Sequence, residues 1–248
     1  MKGLFHVHTK YSDGKYSLEE LKNLFYGKYQ YIFLTDHKEH MSIKKMNKMI
    51  KECGRLSEKN FLLIPGIEMK NKVGHKLIVG IALSKKNQLN IIAHPNKQLL
   101  KMVNELKNID GIEVWNSYTD GIIPNHKTLR MLKKIRNNFK FNILAIGGLD
   151  LHNSKIVNIE IEIFTKKLNV KNLIKNIKKG NFRTISQYIT LQPNGKIFYH
   201  QNKIILFIKN FLLMNILCFI RKIAEFLRKI NFRPKFIIKI YHKLFGEK

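Results

Sequence analysis

The feature that most constrains this chain is an alternation of short apolar, β-branched segments with lysine-rich segments of helical pattern. The strand-like segments are residues 3–8, 31–35, 61–69, 76–83, 90–93, 111–115, 142–146 and 157–164. The helical patterns cover residues 17–26, 41–57, 98–107, 126–138 and 170–178. Alternation of this kind predicts an α/β fold with a mainly parallel sheet, either open or closed into a barrel.

The composition is that of a folded domain. A chain of 248 residues with 44% hydrophobic residues can bury a core, which excludes a disordered or fibrous protein. Two cysteines, Cys53 and Cys218, are too few for a disulfide framework or a thiolate zinc cluster, so we expect a reducing compartment. The first residues lack the pattern of a signal peptide, and we therefore expect a cytoplasmic protein.

The chain is strongly basic, with 46 lysines and arginines against 17 acidic residues and a formal net charge of +29. Such a field attracts phosphates on nucleic acids, on anionic membranes or on small metabolites, without choosing among them. Because the lysines occur in a sequence also rich in asparagine and isoleucine, biased base composition of the source genome explains the charge equally well.

Imidazoles and carboxylates occur where the predicted strands end. His6 and His8 flank Val7 at the end of the first strand, and alternate residues of a strand point to the same side. Alone, this pair is equally well explained by two histidines bonded to neighbouring carbonyls. Further residues of this kind follow other strands or lie in loops beside them: Asp13, Asp36, His37, Glu68, His75, His94, Asp150 and His152. Because ligand sites of parallel α/β folds form at the carboxyl ends of the strands, this set indicates a metal site.

These residues stand in motifs that resemble those of the PHP superfamily, the polymerase and histidinol phosphatase domain. The motifs are H-x-H at 6–8, S-D-G at 12–14, T-D-H at 35–37, G-x-E at 66–68, a lone histidine at 75, A-H-P at 93–95 and D-x-H at 150–152. Leu149 departs from the pattern, since the family commonly has serine there. The resemblance covers about residues 1–200 and implies a distorted (β/α)7 barrel that forms a metal-dependent phosphoesterase domain.

The resemblance also implies a trinuclear metal site with up to three divalent ions, for which Zn, Mn or Fe suit the ligands. The implied ligand sets are His6, His8, Glu68 and Asp150 for one ion, Glu68, His75 and His94 for a second, and Asp13, His37 and His152 for the third. Asp36 is expected to orient a ligand imidazole. The G-I-E-V-x-N segment at 111–116 is interpreted as a structural strand.

The activity that follows from the resemblance is hydrolysis of phosphate esters by a metal-bridging hydroxide. The expected substrate is a phosphorylated small molecule or a nucleotide. Asp150, His94 and His152 are the residues on which catalysis is expected to depend. His152, His37 and His40 are candidates for the general acid that protonates the leaving group.

Two alternatives remain open from the residues alone. Instead of a small-molecule phosphoesterase, the chain could be a nuclease or a nucleic-acid-binding module with a basic surface, although few aromatic residues lie among its lysines.

Lys38, Lys70 and Lys97 each follow a metal motif by one to three residues. They either bind phosphate oxygens or belong to a solvated surface.

Residues 203–248 differ in composition and are predicted to form a separate basic, amphipathic helical tail. The pattern predicts a helix over residues 205–230 and a shorter one over residues 235–245. A membrane span is disfavoured because residues 204–220 are short for one and include Lys209 and Asn215. We expect the tail to lie on an anionic membrane surface at the inner face, or else to pack on the barrel or on a second subunit.

Overall fold

The computed structural model describes residues 1–102, 106–139, 141–153 and 158–229. Its helices are α1 Leu18–Phe25, α2 Ile43–Leu56, α3 Ser117–Asp120, α4 His126–Phe139, α5 Val170–Lys178 and α6 Lys203–Lys229. Single 3-10 turns occur at Lys38–His40, Lys85–Asn87 and Lys97–Leu100. The predicted capping box of α1 is confirmed: the Glu20 backbone N–H donates to Ser17 Oγ, and the Ser17 backbone N–H donates to the Glu20 carboxylate.

Thirteen strands are present in the described residues. They are β1 Lys2–Val7, β2 Tyr31–Leu34, β3 Asp36–His37, β4 Leu62–Ile64, β5 Gly66–Asn71, β6 Gly74–Val79, β7 Leu89–Ala93, β8 Gly111–Asn116, β9 Leu144–Gly148, β10 Glu160–Ile163, β11 Phe182–Ile185, β12 Ile189–Leu191 and β13 Ile197–Tyr199. One sheet has the order β13-β12-β11-β10-β1-β2-β4, and the other has the order β3-β5-β6-β7-β8-β9.

The α/β class is confirmed, but the expectation of a mainly parallel sheet is wrong. Six of the eleven ladders between the described strands are antiparallel. Two features account for this: β5, β6 and β7 form a meander, and β10 to β13 add a second antiparallel run beside β1. The ladders form two sheets, so the expected closed barrel is not confirmed.

Local sequence explains where the other elements depart from expectation. The predicted strand over residues 61–69 divides into β4 and β5 at Pro65, since proline cannot donate a ladder hydrogen bond. The predicted helix over residues 98–107 begins as the 3-10 turn Lys97–Leu100, Leu106 is helical, and residues 103–105 lie outside the described residues. The helix predicted over 235–245 also lies outside them.

The two sheets share one interior. A cluster of buried residues joins Phe5 and Phe33 of the first sheet to Leu77, Ile91 and Ile146 of the second. A second cluster contains the buried faces of α1, α2 and α4. Sheets and helices are therefore packed so that the ends of several strands face a common region.

Candidate metal centre

Six strands contribute to, or are followed by, the residues that the sequence singled out. Strand β1 contains His6 and leads directly to His8, while β3 ends at His37. Glu68 and His75 lie on the paired strands β5 and β6. The other four residues follow β7 and β9 or lie in the loop before α1: His94, Asp150, His152 and Asp13. All nine belong to one connected cluster.

Within this cluster, ligand atoms that lie within 4.8 Å of one another form four groups. The groups are His6, His8, Glu68 and Asp150; Glu68, His75 and His94; His8, Asp13, His37 and His152; and His6, His94 and Glu113. The structure therefore brings together the three sets that the resemblance implied. It also adds Glu113, which the sequence analysis had interpreted as structural.

The central group has the spacing of a metal-ligand set. His6 Nε2 lies 3.1 Å from Glu68 Oε2 and 3.4 Å from Asp150 Oδ1, and His8 Nε2 lies 3.1 and 3.3 Å from the same two oxygens. Ligand atoms that bind one ion at about 2.0–2.2 Å stand roughly 2.8–3.6 Å apart for octahedral to tetrahedral angles. The four side chains therefore fit a divalent cation between them.

His8 supplies independent evidence for this fit. Both of its ring nitrogens are buried and have no hydrogen-bond partner of suitable geometry, although its Nε2 lies close to two carboxylates. An imidazole buried without partners is costly, because it has lost its contacts with water. Coordination of a cation by His8 Nε2 would give this nitrogen the polar partner that it lacks.

The second and third groups extend the centre on either side. His75 Nδ1 contacts the Glu68 carboxylate, which belongs to both the central and the second group, and His94 Nε2 of the second group lies 3.3 Å from Asp150 Oδ2 of the central group. In the third group, Asp13 Oδ2 lies 3.3 Å from His152 Nε2 and 3.6 Å from His37 Nε2. Mixed imidazole and carboxylate groups of this kind suit divalent transition metals.

The charges of the centre favour cations. Burial lowers the pKa of His6, but Glu113, Asp150 and Glu68 outweigh it and hold that pKa well above its usual value. Burial also lowers the pKa of His8, yet the carboxylates of Asp150 and Glu68 close to its Nε2 raise it to about 9. Burial opposes ionisation of Glu68 and Asp150, but the imidazoles hold the pKa of each carboxyl well below its usual value. The carboxylates therefore remain ionised at neutral pH.

Backbone conformation marks the same residues. His6, His94 and Asp150 have φ values of 65°, 47° and 52°, and they are the non-glycine residues with positive φ in the described part of the chain. The left-handed region is unfavourable for residues with a Cβ, and its occurrence at functional sites is a recurrent pattern. All three belong to the cluster: His6 is the penultimate residue of β1, His94 directly follows β7, and Asp150 lies two residues after β9.

Glu113 is the functional residue that the sequence analysis missed. Its Oε1 lies 2.7 Å from His6 Nδ1, and its Oε2 accepts a hydrogen bond of 3.0 Å from Asn116 Nδ2. The same amide lies 3.3 Å from Asp150 Oδ2. This arrangement fixes the ring of His6 so that its other nitrogen faces the central group. A glutamate in the middle of an apolar strand was the available signal, because such carboxylates are seldom buried without a partner.

Asp36 does not have the role that was expected of it. Its Oδ1 accepts hydrogen bonds from the Thr9 backbone N–H at 2.8 Å and from Ser12 Oγ at 2.7 Å, rather than orienting an imidazole. It thereby holds the turn that carries Asp13. The expectation failed because the T-D-H motif does not reveal which way the loop after β1 folds.

The remaining candidates lie around or away from the centre. The ring of His40 lies 5.6 Å from that of His37 and belongs to none of the four groups. Lys38, Lys70 and Lys97 are exposed, which agrees both with a solvated surface and with binding of phosphate oxygens.

Comparison with known proteins gives limited support. No protein-family model matches the chain. A stretch of 78 residues is 31% identical to the DNA polymerase/3'-5' exonuclease PolX of Bacillus subtilis (strain 168). The match covers 28% of this chain and 14% of that protein, so the chain corresponds to a small part of its relative. Fold and centre together define an α/β protein with a candidate site for divalent metals.

Proposed function

We propose that this protein is a metal-dependent hydrolase of phosphate esters, with a phosphorylated small molecule or a nucleotide as substrate. The observation that carries the proposal is the convergence of nine imidazoles and carboxylates into adjoining groups with metal-ligand spacing. Divalent cations held there would activate water and neutralise charge on phosphoryl oxygens. The protein's own part is to hold Glu68 and Asp150 ionised and the imidazoles oriented.

We infer further that the two sheets close into the distorted seven-stranded barrel implied by the resemblance, with the phosphoesterase domain at residues 1–200 and the tail at 203–248. Hydrogen bonds across one seam support this inference. Leu149 N donates to Phe5 O at 2.9 Å, and His8 N donates to Leu151 O at 2.9 Å. At the other seam, β3 continues the path of β2 and pairs with β5.

A nuclease is the second candidate function. The partial match to a protein named as a 3'-5' exonuclease favours it, as does the net charge of +29, which attracts nucleic-acid phosphates. Both candidates use the same centre and differ in whether the substrate is the phosphate ester of a small molecule or a nucleic acid.

Purified protein supplied with Mn²⁺ or Zn²⁺ should hydrolyse an aryl phosphate monoester or diester, and Asp150→Ala and His94→Ala should each abolish the activity. His126 lies outside the four groups, so His126→Ala is the matched control and should retain the activity. A panel of phosphorylated metabolites and short RNAs then separates the two candidates. Inactivity of the wild type with every metal and ester would contradict the proposal.

We also propose that His40 donates the proton to the leaving group, since His37 and His152 belong to a ligand group, and an imidazole bound to a metal through one nitrogen is a poor acid at the other. His40→Gln should therefore slow hydrolysis of alkyl phosphates by about 10²-fold or more. It should leave esters of acidic phenols, whose leaving groups need no proton, nearly unaffected. Equal loss on both esters would reject this assignment.

A further inference from the structure

The helix α6 has two faces with opposite environments. Its docked face packs on the domain: Leu206 is 0% exposed and Leu217 is 3% exposed, and Asn210 Oδ1 accepts a hydrogen bond from Ile122 N. Leu206 and Leu217 are three turns apart, or roughly 16 Å. The helix is therefore attached to the domain along this length.

The opposite face, which we call the outer face, is apolar and uncovered. Phe211 and Phe219 are 68% and 65% exposed, and Ile204, Ile208, Leu212 and Ile216 are exposed in the same way. At about 100° per residue these side chains occupy one side of the helix, with Lys209 at one border. Two exposed polar residues, Asn215 and Lys222, lie within this side, and the Asn215 amide donates a hydrogen bond to Phe211 O. A contiguous apolar surface of this kind marks an interaction site.

We propose that the outer face of α6 docks on the surface of an anionic lipid bilayer, with the helix lying in the plane of the interface. Charge complementarity favours this occupant. The helix has six basic residues and one acidic residue, in a chain of net charge +29. Large apolar side chains with Lys209 beside them and Lys222 among them match the boundary between acyl chains and anionic headgroups, because a lysine buries its stem and keeps its charged end at the headgroups.

Two other occupants fit less well. A second copy of the chain would bring an equally basic helix against the first, and the like charges would repel. A membrane span fits Lys203–Ile220 by length and composition. However, insertion would pull Leu206 and Asn210 away from the domain and leave their partners uncovered.

Docking would place the candidate metal centre near the membrane. Asn210 contacts the segment that follows α3, and α3 begins directly after Asn116, whose amide lies 3.3 Å from Asp150. The inference goes beyond the proposed function and does not require it, since lipid binding is independent of hydrolysis.

Flotation of the full chain with vesicles tests the proposal. The protein should float with phosphatidylcholine vesicles that contain phosphatidylserine, remain unbound to phosphatidylcholine alone, and be released by alkaline carbonate. The double variant Phe211→Ser/Phe219→Ser should bind roughly tenfold more weakly or worse. The matched control is Phe164→Ser, an exposed phenylalanine outside α6 that should leave binding unchanged.

Three outcomes would overturn the proposal. Equal binding to both vesicles that resists carbonate would indicate a membrane span. Absence of lipid binding, with a dimer in sedimentation velocity that the double variant dissociates, would indicate a second copy. Equal loss of binding in the control variant would show that the outer face has no particular role. Because vesicle binding is read without any substrate, failure of the phosphoesterase assay would leave this result untouched.

Discussion

At the scale of single residues, the candidate metal centre depends on side chains that hold its ligands as well as on the ligands themselves. His6 is fully buried, and both of its ring nitrogens face carboxylates. Glu113 is hydrogen-bonded to His6 Nδ1, which points away from the central group, so His6 Nε2 is available to bind a cation. A carboxylate in this position both orients the imidazole and increases its basicity.

Glu113→Gln should therefore weaken metal binding by about 10–100-fold, because the amide orients His6 less firmly and no longer increases its basicity. The measurement is calorimetric titration of the metal-free chain with Mn²⁺ or Zn²⁺. Glu162→Gln, which removes a carboxylate bonded to Arg183 on β11, is the control and should leave the affinity unchanged. Unchanged affinity in both variants would show that Glu113 has no positioning role.

The sequence singled out the residues that cluster in the centre better than it predicted the residues that hold them in place. Residues such as His94 and Asp150 stand in short motifs at strand ends, where both residue type and spacing are informative. The partners of Glu113 and Asp36 lie far away in the sequence, at His6 for one and at Thr9 and Ser12 for the other. Those contacts depend on strand register and loop direction, which no local pattern reveals.

At the scale of elements, the end of β9 has to approach β1 and β8 closely for the centre to form. Gly148 lies at this point, where an added Cβ would stand 2.2 Å from Glu113 Oε1 and 2.8 Å from His6 Cβ. Neither neighbour can move without disturbing the pair that orients His6. The G-G segment at the end of β9 is thus part of the site.

Gly148→Ala should destabilise the fold by about 1–3 kcal/mol through overpacking, and it should weaken metal binding as well. Gly54→Ala in α2 is the matched control. A Cβ at Gly54 meets nothing within 4 Å, so alanine should be neutral or stabilising there. Thermal unfolding and metal titration of both variants check this. Equal stability of the two variants would contradict the close packing described at Gly148.

Elements with a strong local signal were predicted closely. The helix predicted over residues 170–178 is α5 Val170–Lys178, and the capping box placed the start of α1. The strands β11, β12 and β13 were not predicted, because they are short and depend on antiparallel pairing, β11 with β10, β12 with β11 and β13 with β12. Pairing of this kind is a property of tertiary structure, which also explains why the mainly parallel sheet was expected wrongly.

At the scale of the whole molecule, protons and metal ions compete for the same buried cluster. The carboxylates raise the pKa of His8 to about 9 despite its burial, so in metal-free protein this imidazole is protonated at neutral pH. A protonated nitrogen cannot bind a metal, and the proton must leave when a cation enters. Metal affinity should therefore fall as pH decreases below about 9.

The expected slope is about tenfold in apparent affinity per pH unit for each proton displaced. Calorimetric titrations at neutral pH, in buffers of different ionisation enthalpy, measure the protons released. Proton release that disappears above about pH 9 would agree with the account. Affinity that is constant between neutral pH and pH 9 would show that the imidazoles are unprotonated before the metal binds.

The central claim is that nine imidazoles and carboxylates form one centre for divalent cations. The most direct test is an anomalous difference map from crystals of the full chain grown with Mn²⁺ or Zn²⁺. We expect peaks within about 2.0–2.3 Å of nitrogens and oxygens of the ligand groups, with the strongest peak between His6, His8, Glu68 and Asp150. A map without peaks at these residues, from protein saturated with either metal, would contradict the claim.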